Sequence, residues 1–152
     1  MNTTFTGDSL SIREVRAVDL EAIIGIDHQV TNIAKPDYWR DMFTQYELNR
    51  DHRFFLVADE DAKVVGFIIG EVRAWEFGSA PCGWVFAIGV DPDHRQSQVA
   101  SRMLAALCEL FAKAGVTKVR TMTSRQDHIL LSFFRSQGMM AGPYQQLEKD
   151  LP

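Results

Sequence analysis

The stretch VDPDHRQSQVASRML, Val90 to Leu104, decides the fold. An apolar strand there runs through an Asp-Pro turn into a helix. The first backbone N–H groups of a helix lack intrahelical acceptors and sit at the positive end of its dipole, so that turn can grip a phosphate. Arg95, Gln96, Ser97, Gln98, Val99 and Ala100 are expected to form the cradle. The stretch lacks the glycines of a dinucleotide fingerprint and the Lys of a P-loop.

Upstream, Leu10 to Val15 alternates apolar and polar residues and reads as a first strand. Asp19 is expected to cap a helix carrying Leu20, Ile23, Ile24 and Ile26 and ending near Thr31. Pro36 opens a second helix through Asn49, with Tyr38 and Trp39 read as packing residues. Phe54 to Ala58 and Val64 to Arg73 form a hairpin around the turn DEDAK. Trp84 to Val90 is a further strand, whose period of two places Trp84, Phe86, Ile88 and Val90 on one face.

Downstream, Ser97 to Ala114 repeats apolar residues at Val99, Met103, Leu107, Leu110 and Phe111, an amphipathic helix stopped by Gly115. Lys118 to Thr123 reads as a strand. Asp127 then caps a short helix with Ile129, Leu130, Phe133 and Phe134, ended by Gly138. The tail MMAGPYQQLEKDL leaves room for one or two final strands. The order β-α-α-β-β-β-α-β-α-β gives an α+β or mixed α/β fold, helices on both faces of a mixed sheet.

The chain has 152 residues, 46% hydrophobic and 24% charged, which fits a single domain, 1–152. Sixteen Lys and Arg face twenty Asp and Glu, a net charge of -4, and no basic run interleaves with aromatics, so nucleic acid is not an expected partner. Apolar runs are far short of the roughly 20 residues that span a bilayer, so no membrane partner is expected. No secretory signal is visible in MNTTFTGDSLSIREV, and a cytoplasmic location is expected. Cys82 and Cys108 lack metal-ligand spacing, so no metal is expected. Cys108 reads as core packing. Cys82, just before a strand, reads as structural, with a covalent nucleophile as the alternative.

With this order, the chain resembles the GNAT superfamily of acyl-CoA N-acyltransferases from Leu10 to Leu151. The family pattern of Arg or Gln, two residues, Gly, one residue, then Gly or Ala is matched by Arg95 to Ala100, after the typical IGVDP. A later pattern of Asn, an aromatic pair and Gly-Phe is echoed by Asp127, Phe133-Phe134 and Gly138-Met139. The resemblance implies a mostly antiparallel sheet with a splayed gap beside Trp84 to Val90. Main-chain groups of Ile88, Gly89 and Val90 would pair there with the pantetheine arm of coenzyme A. The pyrophosphate would meet the amides of Gln96, Ser97, Gln98, Val99, Ala100 and Ser101.

Three departures from the pattern bear on binding and chemistry. Gln98 replaces a glycine. It can adopt helical dihedrals but adds a side chain where phosphate approaches, so it must either point away or weaken binding. Asp127 replaces an Asn; it caps a helix equally well but accepts hydrogen bonds without donating them. Phe134 replaces a Tyr whose hydroxyl protonates the departing thiolate, a general-acid contribution of about 10²- to 10⁴-fold. A coenzyme A thiol with a pKa near that of cysteine, about 8.5, still leaves as the thiolate.

The activity implied is N-acetyl transfer from acetyl-CoA to a primary amine of a small molecule or peptide by direct attack. A backbone N–H at a strand bulge near Val90 would hold the oxyanion. No strong base stands out, since Trp84 and Met122 fill positions where relatives carry Glu. The candidates are His28, His128, Glu71, Glu76 and Tyr144, with His128 favoured for its place at the start of the short helix. The competing reading is a catalytically impaired acyl-CoA-binding or interaction module. Homodimers are common in the resembling family.

Overall fold

The computed structural model describes residues 9–95 and 98–152. The chain divides into two compact units, Met1–Met122 and Thr123–Pro152.

The first unit is built on a sheet of order β1-β2-β3-β4-β5. Its strands are β1 (Leu10–Glu14), β2 (Arg53–Glu60), β3 (Lys63–Arg73), β4 (Cys82–Val90) and β5 (Val119–Thr121). β1 to β4 pair antiparallel in succession, β2 and β3 through a tight hairpin and β1 and β2 across the two helices between them, and β5 joins β4 in parallel after a helical crossover. The helices of this unit are α1 (Leu20–Thr31), α2 (Pro36–Leu48) and α3 (Val99–Lys113).

β2 and β3 carry nearly continuous apolar runs because both of their faces are covered. On one face Phe55, Val57, Phe67 and Ile69 pack with Ile23 and Ile26 of α1 and with Trp39 and Tyr46 of α2. On the other, α3 buries Val99, Met103, Leu104, Leu107 and Phe111. α3 sits tightly on the sheet: a Cβ at Gly83 would lie 2.6 Å from the Phe111 ring. Gly89 plays the same part on the opposite face, under the ring of Phe67.

Three sequence expectations need correction. Asp19 does not cap α1. Its carboxylate turns back to accept the Arg16 N–H at 2.7 Å and both Nη nitrogens of Arg13 at 2.8 and 2.9 Å. α3 begins at Val99, two residues later than its apolar period implied. No strand follows β5 among the described residues: the tail after Gly138 is almost wholly exposed, and Gly142-Pro143 interrupts it with a residue that cannot donate to a ladder.

The second unit holds α4 (His128–Ser136), capped by Asp127 and followed by Gly138 at φ +87°. Phe134 is its buried residue, and Ile129 is exposed.

Candidate functional site

β4 pairs with β3 along its whole length but with β5 only at Gly83, Trp84 and Val85. From residue 86 onward no strand among the described residues pairs with its second side, and Phe86 to Ile88 and Val90 are only half-buried. This is the gap that the sequence reading placed beside Trp84 to Val90.

A register shift decides which main-chain groups face the gap. Ile69 opposes Ala87 while Gly70 opposes Val85, so Phe86 is an extra residue in β4. Before the bulge, Gly83 N–H donates to Lys118 across β5, and the Val85 carbonyl accepts the Thr121 hydroxyl at 3.0 Å. After it, Asp91 N–H donates to Val65 of β3. The alternation of an antiparallel ladder then assigns Gly89 to Phe67 and turns the N–H and C=O of Ile88 and Val90 toward the open side. In an unbulged strand, residues 87 and 89 would have faced it.

The bulge therefore corrects two expectations. It lies at Phe86, not near Val90, and Gly89 spends its backbone groups on β3. It also breaks the single face proposed for the strand. Phe86 and Ala87 both pack on the α1/α2 side, while Ile88 and Val90, opposite Ile68 and Gly66, lie on the α3 side.

The chain leaves β4 through a short 3₁₀ turn, Pro92–His94, opened by Asp91, whose carboxylate accepts the Asp93 N–H at 3.0 Å. His94 Nε2 lies 3.2 Å from Glu60 at the end of β2, so the turn is pinned to the β2–β3 hairpin. Arg95 is exposed; Gln96 and Ser97 lie outside the described residues. Gln98 is exposed and sits at φ 62°, ψ 16°, in the left-handed region. The sequence reading had allowed this residue ordinary helical dihedrals. The position instead has the backbone for which glycine is suited, which is the physical content of the family's glycine.

The Gln98 carbonyl accepts the first helical bond, from Arg102 N–H at 3.1 Å, and also the Ser101 hydroxyl at 3.0 Å. The amides of Val99, Ala100 and Ser101 are thus left without helical acceptors, and no acidic side chain stands in the first turn to compete for them. An anion is the natural partner of that end.

In the second unit, Asp127 does what a cap does: its Oδ1 accepts the Leu130 N–H at 3.1 Å. Phe134 is buried with its ring 5.2 Å from that of Phe133 and offers no proton. His128, the first residue of α4, is exposed, as is Tyr144.

The other candidate bases are in the first unit. His28 is exposed near the end of α1. Glu71 is buried, and both its oxygens are engaged, Oε2 by Arg53 at 2.7 Å and Oε1 by Arg73 at 3.0 Å. Glu76 is 3.3 Å from Arg73. Cys82 is buried with Arg120 Nη1 3.5 Å from its sulfur, enclosed rather than presented for attack. Burial also raises the pKa of the Cys108 thiol. Among the described residues no cluster of His, Cys, Asp or Glu is arranged to hold a metal ion, and no helix is long and apolar enough to cross a membrane.

The sequence reading missed Asp27. It lies on the buried stripe of α1 beside Ile23 and Ile26, where its Oδ2 accepts the Trp39 indole N–H at 2.9 Å and meets Lys35 Nζ at 3.1 Å. An Asp one helical turn after Ile23, on an apolar face, was the available signal.

Comparison with known proteins speaks to the family and the fold. An acetyltransferase of Pectobacterium atrosepticum is 27% identical over 127 residues, covering 82% of this chain and 84% of its own. One of Sodalis glossinidius is 27% identical over 127 residues, covering 82% and 83%. Among solved structures, the aminoglycoside N-acetyltransferase AAC(6')-Iy in complex with CoA superposes with a TM-score of 0.79 at 21% identity, over 93% of this chain and 94% of that one. A Trypanosoma brucei acetyltransferase superposes with a TM-score of 0.72 at 20% identity, over 93% and 99%. At such identities the structures speak for the fold. The model of the acetyltransferase (GNAT) family matches residues 20–139, well over half of the chain and running through both units, and the protein belongs to that family.

Proposed function

We propose that this acetyltransferase takes its acetyl group from acetyl-CoA and delivers it to a primary amine of a small molecule or peptide by direct attack. The observation that carries the reading is the open side of β4 beyond Phe86, leading into a helix whose first amides are uncommitted. The pantetheine arm pairs with Ile88 and Val90 as an added strand would, and the pyrophosphate lies on the amides of Gln98 to Ser101, with Arg95 beside it. A structural neighbour, AAC(6')-Iy, is known in complex with a bisubstrate analogue, CoA-S-monomethyl-acetylneamine, which supports donor and acceptor meeting in one site on this fold.

In the reaction the neutral amine forms the C–N bond at the thioester carbonyl, and the C–S bond breaks to release the thiolate. The oxyanion is held by a backbone N–H on the open side of β4, that of Val90 or Ile88. With Phe134 in place of a Tyr, departure relies on the low basicity of the thiolate, pKa about 8.5, and the attacking amine gives up its proton to solvent. Amines that are neutral near pH 8 are favoured over lysine side chains, whose pKa is about 10.4.

The test is release of coenzyme A thiol from acetyl-CoA across a panel of amines, beside calorimetric titration of acetyl-CoA. Saturable binding with amine-dependent release supports the reading. Saturable binding with release at background for every amine turns it to the impaired binding module that Phe134 favours. No binding at millimolar acetyl-CoA removes both.

A further inference from the structure

We propose that Arg53 and Arg73 form a carboxylate-recognition site for the acceptor, held in place by Glu71. The inference rests on the acceptor reaching the thioester beside β4, and names what that acceptor must carry.

Arg53 opens β2 and Arg73 closes β3, and Glu71 stands between them, opposite Arg53 in the ladder. Glu71 is 8% exposed; its Oε1 accepts the Arg73 Nε–H at 3.0 Å, and its Oε2 is ion-paired with the Arg53 Nε at 2.7 Å. Among the described residues no hydrogen bond engages the Nη nitrogens of either guanidinium. One carboxylate thus fixes two planar forks by their inner edges and leaves the outer edges, the part that grips a carboxylate in a bidentate manner, unspent. The second anion nearby, Glu76, touches Arg73 at 3.3 Å from a half-exposed side chain, and among the described residues no second carboxylate pairs with Arg53.

The location gives the pair its meaning. The Arg73 guanidinium lies over the Phe86 ring, 5.1 Å from its centroid. Phe86 is the bulge residue, the point at which β4 loses β5 and its open side begins. It packs on the α1/α2 side, opposite the side on which α3 offers its N-terminal amides. An acceptor approaching from that side meets Arg73 against the bulge residue, with Arg53 held beside it through Glu71. Such a site favours an amine that also bears a carboxylate able to take the free edges of the forks. Glu71 is a positioning residue here: it orients the forks without touching the acceptor.

The test sets matched acceptors side by side: an amino acid, its carboxamide and its decarboxylated amine, with a peptide bearing Glu side chains to separate a free acid from a side-chain carboxylate. kcat/KM is expected at least ten-fold higher for the carboxylate members, mainly through KM. Arg53→Lys and Arg73→Lys keep the charge that balances Glu71, and so the fold, but lose the fork; each is expected to bring the acid-to-amide ratio close to one. A ratio near one in the native protein, or one unmoved by both variants, overturns the proposal. A second measurement does not need turnover. Calorimetry with coenzyme A present should show an N-acetylated amino acid binding at least ten-fold more tightly than its amide, with the preference lost in both variants. Retained carboxylate preference with no turnover overturns the proposed activity and leaves this site standing; turnover without preference does the reverse.

Discussion

Replacing Gln98 by glycine should stabilise the protein, and replacing it by alanine should not. Gln98 holds φ 62°, ψ 16° at the entrance to α3, and no side-chain cap bond stabilises it there. A residue with a Cβ costs roughly 1–2 kcal/mol in that conformation. Glycine removes this cost, while its greater freedom in the unfolded chain takes back about 0.5–1 kcal/mol. The net gain is roughly 0.5–1 kcal/mol, and at about 2–4 °C per kcal/mol for a chain of this size the melting temperature should rise by roughly 1–4 °C. Alanine also shortens the side chain but keeps the Cβ, so Gln98→Ala should melt at or below the native temperature. Thermal unfolding of the three proteins side by side, with and without acetyl-CoA, is the assay. With ligand, the added shift for Gln98→Gly should match or exceed the native one, because the amides of Val99 to Ser101 stay where they are and no polar group of the helix start is lost. Equal stabilisation by alanine and glycine would refute the backbone argument and leave the side chain itself as the cause.

Three further outcomes follow from named contacts. Phe134→Tyr should raise kcat by about ten-fold or more with little change in KM for acetyl-CoA, since it restores a general acid worth about 10²- to 10⁴-fold at its best; an unchanged kcat means that the thiolate leaves unassisted. Burial pushes the Asp19 carboxyl up, but the Arg13 guanidinium and the Arg16 amide outweigh it and hold it below the usual carboxylate range. Its folded value therefore lies under the unfolded one of about 3.9. The resulting stability is present above pH 4 and is lost as pH falls through the folded value. Denaturant titrations should show Asp19→Asn about 2–3 kcal/mol less stable at pH 7, with the gap closing toward pH 3; a gap constant over that range would contradict the linkage. Asp27→Ala strands the Trp39 indole N–H in the core and should cost about 1–3 kcal/mol more than Asp27→Asn, which keeps an acceptor oxygen for it.

What the sequence made legible was what periodicity and punctuation encode. α1 and α2 fall within a residue of their expected ends because Pro36 and a four-fold apolar repeat mark them, and Gly115 and Gly138 sit at the positive φ that their places after helices required. The strands of the hairpin were found short, since alternation fades at ends that pairing alone maintains. Contacts between residues distant in sequence left no such trace: Asp19 turns to Arg13 instead of its own helix, and Glu71 is enclosed by Arg53 and Arg73.

The site was half legible for a reason particular to main-chain recognition. An inserted residue in a strand has no composition of its own; Phe86 looks like any strand aromatic, and a strict period of two runs straight through it. Yet that one residue exchanges which backbone groups face the open side, committing Gly89 to β3 and presenting Ile88 and Val90. It also puts Phe86 and Ala87 on one face, which brings the Phe86 ring under Arg73. On the proposed function, the side that receives the donor and the side that meets the acceptor are both set by a single bulge. The left-handed turn at Gln98 is the complementary case. There the motif did carry the information, because a glycine in a family pattern is a statement about φ, and the structure keeps that φ after the glycine itself has gone.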